Sequence, residues 1–149
     1  QDLGLKLDFR RFRVYLKEKC GVGKAYLFIG YLPENANMYR VLQEYGYVLI
    51  FKPILKTKDG HVKGNVDAEL VLQAMIDYPA YRQAVIVTGD GDFHCLVKYF
   101  AENDKLARLI VPNRFKYSIL LRRAFIASPQ ITFLNDLQHL LEYKTQHRG

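Results

Sequence analysis

Four short, almost unbroken apolar runs, each followed by a stretch of helical character, constrain this chain more than any other feature. The runs are Lys24 to Gly30 (K-A-Y-L-F-I-G), Tyr47 to Phe51 (Y-V-L-I-F), Ala84 to Thr88 (A-V-I-V-T) and Leu106 to Val111. They are rich in branched and aromatic residues and do not alternate in polarity, which predicts strands covered on both faces. Helices are predicted between them: Glu34 to Tyr45 ended by Gly46, Val66 to Tyr78 halted by Pro79, and Phe93 to Asn103. Lys58-Asp59-Gly60 marks a turn before the second of these. Strands alternating with helices imply an α/β fold, with a mainly parallel central sheet between two helical layers. In such sheets ligands bind beyond the carboxyl ends of the strands, so polar residues in the strand-to-helix loops are the first candidates for chemistry.

The ends of the chain follow the same logic. Phe9, Phe12, Leu16 and Cys20 recur at three- and four-residue steps, with Asp8 suited to an N-cap and Gly21 to a C-terminal stop, so an amphipathic helix is predicted there. Its other side carries Arg10, Arg13 and Lys17, either a solvated face or a ridge for phosphates. After Pro112 and Asn113 the sequence predicts a short helix from about Ser118 to Phe125, a strand at Ile131 to Leu134 and a closing helix to about Tyr143.

The 149 residues, half of them hydrophobic, suit one domain with a substantial core. No run of about 18 apolar residues occurs, and the opening lacks the basic-then-apolar pattern of a secretory signal, so a soluble cytoplasmic protein is expected. Cys20 and Cys95 fit no paired metal-ligand spacing, and two buried, reduced thiols are expected. Lys and Arg number 22 against 15 Asp and Glu, a formal net charge of +7 that favours an anionic partner, nucleic acid first.

Two acidic segments interrupt this basic chain. In V-T-G-D-G-D-F, Val87 to Phe93, Asp90 and Asp92 stand one residue apart in the loop leaving an apolar strand. Flanking Gly89 and Gly91 are expected to free the backbone so that both carboxylates turn toward one point, where a hard divalent cation relieves their repulsion. Either aspartate also suits a helix cap. In K-G-N-V-D-A-E-L, Lys63 to Leu70, Asp67 and Glu69 open a helix that is apolar on almost every side and is therefore predicted to be buried. The two point about 200° apart, so both cannot face one ion. Asp67, nearer the helix start, is the better candidate, and acids favoured by a helix dipole are the ordinary alternative. Carboxylates holding metal at the ligand-binding edge of a basic protein fit phosphodiester cleavage, because the ions can activate a water and stabilise the leaving oxygen.

Together, K-G-N-V-D-A-E-L and, some twenty residues later, A-V-I-V-T-G-D-G-D-F resemble the motifs of the NYN domains, LabA-like relatives of the PIN nucleases. The likeness extends through Y-L-F-I-G, Y-V-L-I-F-K-P, Asn113-Arg114 and I-T-F-L-N-D-L. It implies a Rossmann-like, PIN-like three-layer sandwich and a magnesium- or manganese-dependent ribonuclease. The family's catalytic, metal-binding acids fall on Asp67, Asp90 and Asp92, with Thr88, Glu69 and Asn65 as supporting positions. RNA, single-stranded or structured, is the implied partner, and a homodimer is compatible with the sequence. Lys52, Lys56, Lys63 and Arg114 are the candidates to steer phosphates, with Arg122 and Arg123 a second basic patch. His94 is expected to pack on its helix rather than bind metal, and His61, His139 and His147 join no constellation. Such domains normally begin with an apolar strand ending in Asp, which is not visible here, so residues 1–149 are expected to be one domain whose first strand lies upstream of Gln1. Two other readings fit the same residues: a non-catalytic RNA-binding or regulatory module, and a D-x-D phosphatase, disfavoured because Phe93 stands where small polar residues are usual.

Overall fold

A computed structural model describes residues 7–56, 62–63, 66–124 and 131–141. Contacts gather the chain into two compact units, one of Val22–Ala80 and one of Gln1–Gly21 with Tyr81–Gly149.

In the Val22–Ala80 unit, β1 (Ala25–Tyr31) runs parallel to β2 (Tyr47–Pro53), paired from Ala25 opposite Tyr47 to Tyr31 opposite Pro53. With α1 the helix Phe9–Cys20 near the start of the chain, the crossover between these strands holds a short 3-10 turn, Pro33–Asn35, and helix α2 (Ala36–Glu44). Tyr39 and Leu42 bury the inner face of α2. The Tyr39 hydroxyl accepts from the Leu32 N–H (2.9 Å) and donates to the Gly30 carbonyl (3.2 Å), while its ring meets Phe51 edge-on at 4.9 Å. One side chain thus ties helix, loop and both strands together. Gly30 is required by packing: a Cβ there would stand 2.6 Å from Ile54 Cγ1. A short antiparallel pair follows, β3 (Leu55–Lys56) with β4 (Val62–Lys63); the Lys58-Asp59-Gly60 turn lies outside the described residues.

Helix α3 (Asp67–Ile76) departs from its expected burial. None of its residues is buried, and Leu72 and Ile76 are 61% and 60% exposed, with Met75 exposed beside them. Apolar character around the whole helix therefore did not report burial around the whole helix. At its carboxyl end the Tyr26 hydroxyl donates to Asp77 Oδ2 (2.8 Å), which also accepts from Gln73 Nε2 (2.9 Å). At its amino end Lys52 Nζ lies 3.7 Å from Glu69 Oε1.

In the other unit, α1 begins at Asp8, whose carboxylate accepts from the N–H groups of Arg10 (3.0 Å) and Arg11 (3.1 Å), satisfying donors that a helix start leaves unpaired. It ends at Gly21, where φ is 69° and the N–H donates to the Leu16 carbonyl. Phe12 and Leu16 form its buried face. Three parallel strands form this unit's sheet: β5 (Ala84–Val87), β6 (Leu106–Val111) at the centre, and β7 (Ile131–Phe133). Leu109, Ile110 and Val111 of β6 are fully buried. Helix α4 (His94–Glu102) covers them with Leu96, Val97 and Phe100, and α5 (Ile119–Ala124) adds Leu121. After the Leu134–Leu137 turn, α6 (Gln138–Leu141) returns to α1, its Leu141 carbonyl accepting from the Asp8 N–H (2.8 Å).

The mixed α/β fold with parallel sheets is as the sequence predicts, and among the described residues the parallel strands divide into two sheets. No helix among the described residues is long and apolar enough to cross a membrane. The buried-thiol expectation needs correction: Cys20 is half-buried, its thiol pushed up by that burial, and Cys95 is exposed. Cys95 lies on the side of α4 away from Leu96, Val97 and Phe100, where it meets solvent.

The Gln73 amide, and then the Tyr26 hydroxyl, hold the Asp77 carboxyl below the usual aspartate range. A carboxyl lowered on folding stabilises the native state above its unfolded value, about 4, and loses that contribution as the pH falls through its native value. Urea unfolding at several pH values therefore should find Asp77→Asn less stable than wild type at neutral pH, with the difference closing in acid.

Candidate metal centre

The acidic loop issues directly from the β5–β6 ladder. The Thr88 N–H donates to the Ile110 carbonyl (2.9 Å), extending the pairing one residue past β5, and the buried Thr88 hydroxyl accepts from the Asp90 N–H (3.0 Å). Asp90 then takes the N-cap of the short turn Gly91–Phe93, its Oδ1 accepting from the Asp92 N–H (2.8 Å). Phe93, the last residue of the turn, is buried and anchors it in the core. The capping role open to Asp90 in the sequence is thus realised, and it orients the carboxylate rather than hiding it. Asp90 and Asp92 are both exposed, each with a carboxylate oxygen within 4.8 Å of the other's.

The two glycines act differently from expectation. Neither Gly89 nor Gly91 has a positive φ, so backbone freedom is not what the loop takes from them. Gly91 is needed because the loop after β6 comes so close: a Cβ there would stand 2.9 Å from Ser118 Cβ and collide with its hydroxyl. Gly89 has ordinary room, 3.5 Å to Tyr117 Cβ, and its carbonyl accepts from the Ser118 N–H (3.1 Å). Ser118, which the sequence reading did not single out, therefore interlocks the two loops. A lone serine after a tyrosine gives no signal of this; only the pairing of β5 with β6 brings it there.

Asp67 and Glu69 sit in the first turn of α3, where acids are favoured by the helix dipole. Asp67 is half-buried. Glu69 is committed within its own unit, its enclosed Oε1 facing Lys52 Nζ at 3.7 Å. Arg114 is exposed but engaged: its backbone N–H donates to Asn135 Oδ1 (2.9 Å), and its guanidinium lies over the Phe133 ring at 4.7 Å and pairs with Asp136. Asn65 lies outside the described residues, and for Lys56 and Lys63 only the backbone, in β3 and β4, is described. His94 Nδ1 donates to the Gly91 carbonyl (2.9 Å), leaving Nε2 to face Cys95 Sγ at 3.3 Å. The histidine is a bracket for the acidic turn, in keeping with its expected packing on the helix. Arg122 and Arg123 are exposed on α5.

The NYN domain family model matches residues 2–129. The chain belongs to the NYN domain family. NYN domains have a PIN-like nuclease fold, and their members are typically nucleases that use divalent metals. No curated protein matches this NYN domain. Among solved structures it is similar to a protein of unknown function from Vibrio parahaemolyticus, at 22% identity and a TM-score of 0.70, over 93% of this chain and 83% of that one. At that identity the likeness speaks to the fold.

The Gly91–Ser118 contact sets a direct test of how tightly the acidic turn is held. Gly91→Ala should lower stability by about 1 to 3 kcal/mol, the usual cost of forcing an extra carbon into a filled space, while Gly89→Ala stays close to wild type. Urea midpoints of the two variants measure the contrast.

Proposed function

We propose that this NYN domain is a divalent-metal-dependent ribonuclease in which Asp67 joins Asp90 and Asp92 at one metal centre. The observation that carries the reading is the exposed Asp90–Asp92 pair, two carboxylates held near each other by a turn that Thr88, Phe93 and Ser118 all fix. Keeping like charges close costs free energy unless a cation sits with them, and oxygen-only donors select a hard ion such as Mg2+ or Mn2+. Such an ion would supply activation of the attacking water and charge stabilisation at the phosphate.

The chain's own residues supply the rest. Asp90 and Asp92 offer oxygen ligands from a preorganised loop, and Thr88 keeps Asp90 from swinging away by holding its backbone N–H. Asp67, at the start of α3, is the third acid by its place in the K-G-N-V-D-A-E-L motif. Glu69, turned to Lys52, is assigned to holding α3 on β2 rather than to the ion. The excess of cationic side chains draws RNA toward a site that would otherwise repel it.

End-labelled RNA incubated with Mg2+ or Mn2+ tests the reading. Wild type should cut it, chelation should stop the cutting, and Asp90→Asn should reduce the rate by about a hundredfold or more while still binding RNA. Binding without metal-dependent cutting by the wild type would instead identify a non-catalytic RNA-binding module.

A further inference from the structure

The segment between β6 and α5 carries the most exposed large apolar side chain among the described residues: Phe115 is 81% exposed. Its backbone, in contrast, is well anchored. The Phe115 N–H donates to Asn113 Oδ1 (3.0 Å), the Lys116 N–H to the Asn113 carbonyl (3.1 Å), and the Arg114 N–H to Asn135 Oδ1. A ring displayed in water from a fixed loop buries little within its own chain, so folding does not explain it.

Its surroundings are cationic. Arg114 and Lys116 flank it in sequence and are exposed. Arg122 lies over the neighbouring Tyr117 ring at 5.3 Å. The same loop interlocks with the acidic turn, through Ser118 against Gly89 and Gly91. An aromatic face among cations, on a loop that touches a carboxylate pair, has the chemistry of a single-stranded nucleic-acid platform: the ring stacks a base and the cations take the phosphates.

We propose that Phe115 stacks an unpaired base of single-stranded RNA, with Lys116 and Arg122 on the adjoining phosphates; the inference rests on the ribonuclease reading and narrows its substrate class. Both faces of a base within a duplex are already covered by its neighbours, so such a platform selects unpaired RNA without reading its sequence. Ile119 and Leu120 are also exposed on α5, and a protein seated on this surface is the competing occupant that the test separates.

The test measures binding apart from cleavage. Single-stranded RNA carrying one 2-aminopurine, and an RNA duplex, are titrated without divalent metal into wild type, Phe115→Ala and Phe115→Trp. Stacking predicts fluorescence quenching by wild type, loss of the quenching and about tenfold or more weaker single-strand binding for Phe115→Ala, retention of both for Phe115→Trp, and unchanged duplex binding. Phe115→Ala matching wild type, or losing single strand and duplex equally, would overturn the proposal. Failure of Phe115→Trp alongside Phe115→Ala would overturn it too, because any large aromatic face should stack, and Phe115→Ala matching wild type would leave the ring to a protein contact. If wild type cuts RNA with Mn2+ and Phe115→Ala cuts and binds equally well, the platform fails and the nuclease stands; if quenching follows the prediction and nothing is cut, the platform stands and the nuclease fails.

Discussion

Everything at the acidic turn depends on β6. Its Leu109, Ile110 and Val111 have no contact with water, and it pairs on one side with β5 and on the other with β7. A central parallel strand buried this completely cannot shift register without exposing its whole apolar set. The ladder continues to the Thr88 N–H on the Ile110 carbonyl, so the point at which the chain leaves β5, and thus the placement of Asp90 and Asp92, is set by the packing of β6.

From that anchor the turn is built by small, specific contacts. Thr88 holds the Asp90 N–H, Asp90 holds the Asp92 N–H, and Gly91 admits Ser118 so that the loop after β6 closes against it. The His94 ring holds the Gly91 carbonyl from the other side. Each bond alone contributes on the order of 1 kcal/mol, but together they preorganise two carboxylates that would otherwise repel each other apart. This is the condition for a metal site that does not have to assemble when the ion arrives.

Much of this was legible in the sequence, for physical reasons. Short continuous apolar runs bounded by turn residues favour strands, and they located β1, β2, β5 and β6 nearly to the residue, although Tyr31, Val48, Phe51 and Val87 are exposed rather than covered on both faces. Asp8 and Gly21 were readable as caps because each has a conformational preference that acts locally. The acidic segment could be singled out because two aspartates in one loop of a basic chain need a compensating partner. What escaped depended on tertiary contact. The exposed flank of α3 was hidden because apolar composition states what a helix can bury, not what is there to cover it. Gly91 was recognised, but for backbone freedom rather than for the approach of Ser118, 27 positions away by number, a contact made only when β5 and β6 pair. The exposure of Phe115 and the Lys52–Glu69 pair were invisible for the same reason.

The proposed sharing of one ion by Asp67, Asp90 and Asp92 is tested most directly by a double-mutant cycle on Mn2+ binding. Electron paramagnetic resonance titrations of wild type, Asp67→Asn, Asp90→Asn and the double variant give four affinities. Ligands of one ion should be strongly coupled, so each single substitution weakens binding about tenfold or more and the double variant loses far less than the product of the two. An Asp67→Asn protein that binds Mn2+ as wild type does, or losses that simply multiply, would contradict the account.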